Sequence, residues 1–173
     1  MFLKPQNILN ELRNNKIITP SMKGADFGCG SGYFTALLAN EVGQNGLIYA
    51  IDIQEDVLKE AQEFLKNLNI NNVRFILADL EENSQLESET LDFVFISQLL
   101  FQVENVERIF FEAKRVLKKN GYLIIVEPLR DNYLFREYKV LSENNIESYL
   151  NENGFKIILM KKFSGYFLSV SQK

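Results

Sequence analysis

Residues 25–34 read Ala25-Asp26-Phe27-Gly28-Cys29-Gly30-Ser31-Gly32-Tyr33-Phe34. A short apolar run at 22–27 leads into them, and Ala36, Leu37 and Leu38 open a helical stretch behind them. Three glycines at such a junction let the backbone turn sharply and approach a ligand closely, with helix N–H groups aimed at it. Two nucleotide-binding loops fail the spacing. A dinucleotide loop needs G-x-G-x-x-G, and counted from Gly28 its last position is Tyr33. A P-loop needs Gly-Lys-Ser/Thr, and this segment has no lysine. What stands there is D-x-G-x-G-x-G. An ordinary tight turn would also use these glycines; their place at the first strand-to-helix junction favours a ligand.

Around this loop, short β-type runs at 22–27, 47–52, 73–78, 91–97 and 121–127 alternate with helically spaced stretches. Asp56 to Leu68 repeats Val57, Leu58, Ala61, Phe64, Leu65 and Leu68 on one helical face, and Glu104 to Lys118 does so with Val106, Ile109, Phe110, Ala113 and Leu117. Continuous apolar strands suit a parallel sheet covered on both faces. The alternation predicts right-handed crossovers and an open, doubly wound α/β sheet. Ser142 to Asn153 reads as a helix with Ser142 as N-cap and Gly154 at C′. Only Phe163-Ser164-Gly165 separates the last two strands, Phe155–Lys162 and Tyr166–Ser171, so they form a hairpin and the final strand runs antiparallel. Pro5 to Asn15 reads as a short helix carrying Ile8, Leu9 and Leu12. The fold class expected is α/β: a mostly parallel seven-stranded sheet ending in an antiparallel hairpin strand, with residues 1–173 as one domain.

Composition removes whole classes of chemistry. The 173 residues contain no histidine, which excludes imidazole bases, Ser-His-Asp and Cys-His triads, and histidine zinc sites. The single cysteine, Cys29, excludes an internal disulfide and thiol metal clusters and suits a reducing compartment. No Lys, Arg or His flanks Cys29 to lower its pKa, so it reads as a small loop residue. With 23 acidic and 19 basic residues the net charge is −4, which argues against a broad nucleic-acid face. The basic run Lys114-Arg115-Lys118-Lys119 reads as a solvated face. No signal peptide opens the sequence and no apolar run could span a bilayer, so a cytosolic chain is expected.

The D-x-G-x-G-x-G segment closely resembles the first motif of the class I S-adenosylmethionine-dependent methyltransferases, in particular the small enzymes related to ubiquinone/menaquinone biosynthesis. The likeness runs over nearly the whole chain. Tyr49-Ala50-Ile51-Asp52-Ile53 resembles the family's second strand, whose terminal acid holds the ribose hydroxyls. An ionised carboxylate accepts from two vicinal hydroxyls at once. Phe75-Ile76-Leu77-Ala78-Asp79-Leu80 resembles the third, whose Asp receives the adenine amino group, and Leu91 to Ser97 resembles the fourth. Arg115-Val116-Leu117-Lys118-Lys119-Asn120-Gly121 matches R-x-L-K-x-G-G, with Asn120 in place of one glycine. The resemblance implies S-adenosylmethionine as cofactor. Its binding set would be Asp26, Gly28, Gly30, Gly32, Asp52, Ile53, Asp79, Leu80 and Ser97, on loops leaving the first four strands. Asp52 and Asp79 also read as plain strand-end acids, and Ile53 as either an adenine-stacking or a core-closing residue.

For methyl transfer the protein must align acceptor and methyl and exclude water. No catalytic base is identifiable. Glu127, ending the fifth strand, faces the cleft by topology, and a structural salt bridge or a solvated strand end accounts for it equally well. The family's histidine after the fourth strand is replaced by Gln98-Leu99-Leu100-Phe101-Gln102. That stretch carries neither the Asp/Asn-Pro-Pro-Tyr/Phe motif of base-amine methylation nor acids for a catechol-type magnesium site, and no metal is expected. The acceptor site is expected from residues 1–20, the loop 98–104 and Pro128 to Leu141. The last segment is a candidate lid containing Tyr133, Phe135 and Tyr138 with Arg130 and Arg136. A small-molecule acceptor is the first reading. The alternatives are a protein or RNA methyltransferase working with a partner, and a non-catalytic S-adenosylmethionine-binding subunit or sensor.

Overall fold

The computed structural model describes residues 4–130, 132–135, 137–163 and 165–173, with the Tyr133 side chain left out. Seven strands form one sheet: β1 (Lys23–Phe27), β2 (Leu47–Asp52), β3 (Val73–Leu77), β4 (Leu91–Ser97), β5 (Leu117–Pro128), β6 (Lys156–Phe163) and β7 (Tyr166–Gln172). Their order is β3-β2-β1-β4-β5-β7-β6, and β7 runs antiparallel to both its neighbours. The expected doubly wound sheet with its C-terminal hairpin is therefore present.

Side chains on successive strand positions point to opposite faces, and the core divides accordingly. Val94 and Ile96 of β4 with Leu123 and Ile125 of β5 pack under α4 (Val106–Val116) and α5 (Glu143–Glu152). Phe93, Phe95, Ile124 and Val126 face the other side, under α1 (Pro5–Asn14) and α2 (Tyr33–Val42). On that same side α3 (Glu55–Asn67) sets Leu58 against Ala50 and Cys29. Each fully buried phenylalanine here contributes about 1.5–3 kcal/mol of burial free energy. Edge strand β3 is only partly covered, unlike the central strands. Ser142 caps α5 in a reciprocal capping box with Asn145, and Gly154 follows at φ +71°, as the sequence predicted.

The fifth strand departs from expectation. It begins at Leu117, four residues early, because α4 stops at Val116 and Leu117 is already extended (φ −70°, ψ 134°). Leu117 pairs with Leu91, then an irregularity carries the register to Tyr122 opposite Phe93. The polar residues Lys118 to Asn120 sit in that irregularity, with Asn120 at φ +64° and Lys118 Nζ 2.6 Å from Asp92 Oδ1. Helical spacing of the apolar residues does not reveal such an interruption.

Candidate active site

The carboxyl ends of β1, β2, β3 and β4 surround a cavity of about 640 Å³, within the size range of small-ligand sites. The glycine loop is tied to β2 rather than left free. Gly28 and Cys29 both donate their N–H to the Ile51 carbonyl, at 2.9 and 3.0 Å. Asp52 accepts from Gly30 N–H through Oδ2 and from Gln54 N–H through Oδ1, each at 3.0 Å. Gly30 has φ +53° and a Cβ there would enter open space, whereas a Cβ on Gly28 (φ +71°) would lie 2.9 Å from the Leu99 side chain. The first glycine answers to protein and the second to the cavity. Gly32 is the N-cap of α2 and abuts Ala61 and Leu65.

Of the nine residues singled out from sequence, all but Gly32 line the cavity. Asp79 Oδ1 accepts from Glu81 N–H at 2.9 Å, which shapes the turn after β3. Ile53 is 61% exposed, so it does not close the core. The Ser97 hydroxyl is buried and has no partner among the described residues. Asp26 is different in kind: it is 1% exposed and accepts from the Thr35 hydroxyl at 2.6 Å. Burial pushes its carboxyl up to about 7, against the Thr35 hydrogen bond and with help from the charge of Asp52. Burial, with Asp26 and Asp52 nearby, also pushes the Cys29 thiol up, so it is a poor nucleophile. Asp26, Asp52, Asp79 and Glu81 all line the cavity, and no lysine or arginine does among the described residues. The wall favours a cationic ligand.

The other end of the cavity is aromatic. Phe101 meets Phe135 and Tyr138 at ring-centroid distances of 5.2 and 5.0 Å, and Phe135 rests on Tyr166 at 6.0 Å. Phe135 belongs to a single 3₁₀ turn, Tyr133–Phe135, reached after β5 ends at Pro128. Loop 98–104 and segment 128–141, two of the three segments expected to build the acceptor site, thus meet at this end of the cavity. Arg130 does not face it: its guanidinium reaches the Val140 carbonyl and Asn145 Oδ1. Arg136 lies outside the described residues. None of the described residues of the 1–20 segment lines the cavity either. Ile8, Leu12, Ile17 and Ile18 are buried against the sheet instead, which leaves α1 a core-covering helix.

Glu127 forms no salt bridge with any of the described residues and is not solvated. It is 2% exposed, and its Oε1 accepts from Leu99 and Leu100 N–H at 2.9 and 3.0 Å. Burial pushes its carboxyl up to about 7, against those two hydrogen bonds. Its place on an apolar strand was visible in the sequence; the loop that folds over it was not. Within the basic run, Arg115 pairs with Glu112 and Lys118 with Asp92, while Lys114 donates to the Asn153 carbonyl. Among the described residues no cluster of His, Cys, Asp or Glu could hold a metal ion, and no helix is long and apolar enough to cross a membrane.

The family model described as a methyltransferase domain matches residues 18–164, a span running from before β1 into the last hairpin. The chain belongs to the class I S-adenosylmethionine-dependent methyltransferases. This methyltransferase is 31% identical over 141 residues to a ubiquinone/menaquinone biosynthesis C-methyltransferase of Pasteurella multocida, covering 73% of the chain and 52% of that protein. It is 30% identical over 125 residues to a demethylmenaquinone methyltransferase of Bacillus cytotoxicus, covering 72% and 52%. The methyltransferase chain thus spans about half the length of the curated relatives it matches. Among solved structures, a SAM-dependent methyltransferase from Aquifex aeolicus superposes with a TM-score of 0.86 at 26% identity, covering 98% of this chain and 89% of that one. S-adenosylmethionine is the cofactor this family implies, and the residues present fit it. The charged residues that line the cavity are acidic, which suits a cationic cofactor with hydroxyl and amino donors; the cavity is open at Gly30 and offers an unpartnered hydroxyl at Ser97.

Proposed function

We propose that this methyltransferase moves the S-adenosylmethionine methyl group to a carbon of a small, flat, largely apolar acceptor of the hydroquinone type. The observation that carries the acceptor class is the rim of Phe101, Phe135 and Tyr138 at one end of an otherwise acidic cavity. These rings meet edge to face, and such aromatic faces and edges bury a planar acceptor efficiently. The absence of a lysine or arginine among the described lining residues disfavours an anionic one. Two curated relatives named for quinone biosynthesis support the same class.

Bound S-adenosylmethionine supplies a methyl group on a positively charged sulfur, already activated for in-line displacement. In this reading Asp52 accepts from the ribose hydroxyls with lone pairs left over from Gly30 and Gln54. Asp79 receives the adenine amino group, between Ile53 and Leu80. The loop from Gly28 to Gly32, buttressed by Asp26 through Thr35, lets the backbone approach the methionine part, and Ser97 donates its free hydroxyl there. Phe101, Phe135 and Tyr138 hold the acceptor against the methyl and keep water out. A hydroquinone that has lost one phenolic proton to solvent before the site closes would bond through a ring carbon to the methyl as the methyl–sulfur bond breaks to leave S-adenosylhomocysteine. Its ring C–H proton would then move to the phenolate oxygen, so the step asks for no imidazole. The reading takes residues 1–173 as one domain acting in the cytoplasm on two small molecules.

The test combines the purified chain with methyl-labelled S-adenosylmethionine and either 1,4-naphthohydroquinone or a short-chain demethylmenaquinol, with calorimetry of the cofactor alone in parallel. Label on a ring carbon, above a protein-free control, is the expected result. Cofactor binding without label in either hydroquinone overturns the acceptor class and favours a sensor or a macromolecular acceptor. Absence of cofactor binding overturns the site itself.

A further inference from the structure

The loop between β4 and α4 builds the wall that faces the methyl acceptor in the proposed function, and it is pinned at both ends by carboxylates. β4 is followed at once by a sharp left-handed residue, Gln98 at φ +55°, a conformation that costs a non-glycine side chain energy and persists only where surroundings enforce it. The next two N–H groups, of Leu99 and Leu100, converge on one oxygen of buried Glu127. At the far end Glu81 accepts from Glu104 N–H at 3.2 Å and Asn105 N–H at 2.5 Å, where α4 begins. Between these anchors Leu99 packs on Gly28, and the Phe101 ring meets Phe135 and Tyr138.

We propose that Glu127, seconded by Glu81, is a positioning residue that fixes the 99–105 loop. It seats Leu99 against the glycine loop and presents Phe101 as the acceptor wall. Only the word acceptor rests on the reading of the cavity as a methyl-transfer site; the anchoring does not. A side chain that merely filled space on β5 would be apolar, like Leu123 and Ile125 on the same face. Replacing the carboxylate by such a group leaves two N–H groups, one of them buried, without an acceptor, which a folded protein tolerates poorly.

The test compares Glu127→Gln, which keeps a carbonyl acceptor, with Glu127→Met, which keeps the volume alone. Amide hydrogen exchange and ring-to-ring nuclear Overhauser contacts are the readouts. In Glu127→Met the Leu99 and Leu100 amides should exchange at least about tenfold faster, while Phe95 and Ile125 in the ladder stay within about twofold. The Phe101–Phe135 contacts should vanish. Glu127→Gln should restore both features. Unchanged exchange and ring contacts in Glu127→Met would reduce Glu127 to packing and overturn the proposal. Should that variant fail to fold, the wild-type protein decides: Leu99 and Leu100 exchanging as fast as exposed Gln44 overturns it, and strong protection upholds it. None of these measurements involves a methyl acceptor, so failure of the hydroquinone assay is a separate result.

Discussion

Removing the Asp52 carboxylate deprives Gly30 and Gln54 of their hydrogen-bond acceptor before any ligand arrives. Asp52→Ala should therefore weaken S-adenosylmethionine binding by about 1.5–3 kcal/mol, the scale for hydrogen bonds to a charged group. Calorimetry showing unchanged affinity in a folded variant would remove Asp52 from the site. Gly30→Val should bind worse still. A Cβ there would meet no protein atom within 4 Å beyond its chain neighbours, so the added side chain would stand in the cavity, on a left-handed backbone that costs roughly 1–2 kcal/mol. Asp26 and Glu127 carry a different consequence. Both have folded-state values near 7, raised from 3.8 and 4.5, so between pH 4 and 7 the folded state binds more protons than the unfolded one. Their contribution to stability is complete below the unfolded values and is lost as pH rises through 7, by at most about 1.4 kcal/mol per pH unit for each group. Urea midpoints measured from pH 5 to pH 8 should fall, and Glu127→Gln should flatten the decline.

At the scale of elements, segment 128–141 is expected to control the acceptor and leave the donor alone. Phe135→Ala with Tyr138→Ala should cut turnover or alter acceptor preference. S-adenosylmethionine affinity should move by less than about 1 kcal/mol, since these rings stand apart from the charged hydrogen bonds. Loss of the donor in a folded double variant would reassign the segment to the cofactor site. Ser142→Ala removes one half of the α5 capping box and should lower stability by about 1 kcal/mol in urea unfolding. That cap was legible because it depends on neighbours three residues apart; so were the glycine loop and the acids at the ends of β2 and β3. What stayed illegible depends on distant partners. The early start of β5 follows from pairing with Leu91, and the burial of Glu127 from a loop 27 and 28 residues away in sequence. Arg130 looked like a lid cation because its turn toward Val140 and Asn145 is tertiary.

For the molecule as a whole, the acidic half of the cavity is made by one side of the sheet order, β3-β2-β1-β4, and its aromatic end gathers beside β5 and β7. No candidate metal cluster exists among the described residues, so exhaustive chelation should leave S-adenosylmethionine affinity unchanged. Recovery of lost binding on adding magnesium or zinc would mean that the acidic wall recruits an ion. The placement of β7 between β5 and β6 has a further consequence, for assembly. Among the described residues, β6 pairs with β7 alone, and β5 has β7 as its only neighbour beyond β4. The local β6–β7 hairpin is the natural unit to dock last, as contacts close in sequence form before distant ones. Until it docks, β5 is a sheet edge, and Leu123 to Val126 offer four consecutive apolar residues with unpaired backbone groups. Such an edge templates pairing with another chain. Whatever delays closure of that hairpin exposes the molecule to aggregation through a stretch of strand, 123–128, that is buried in the finished fold.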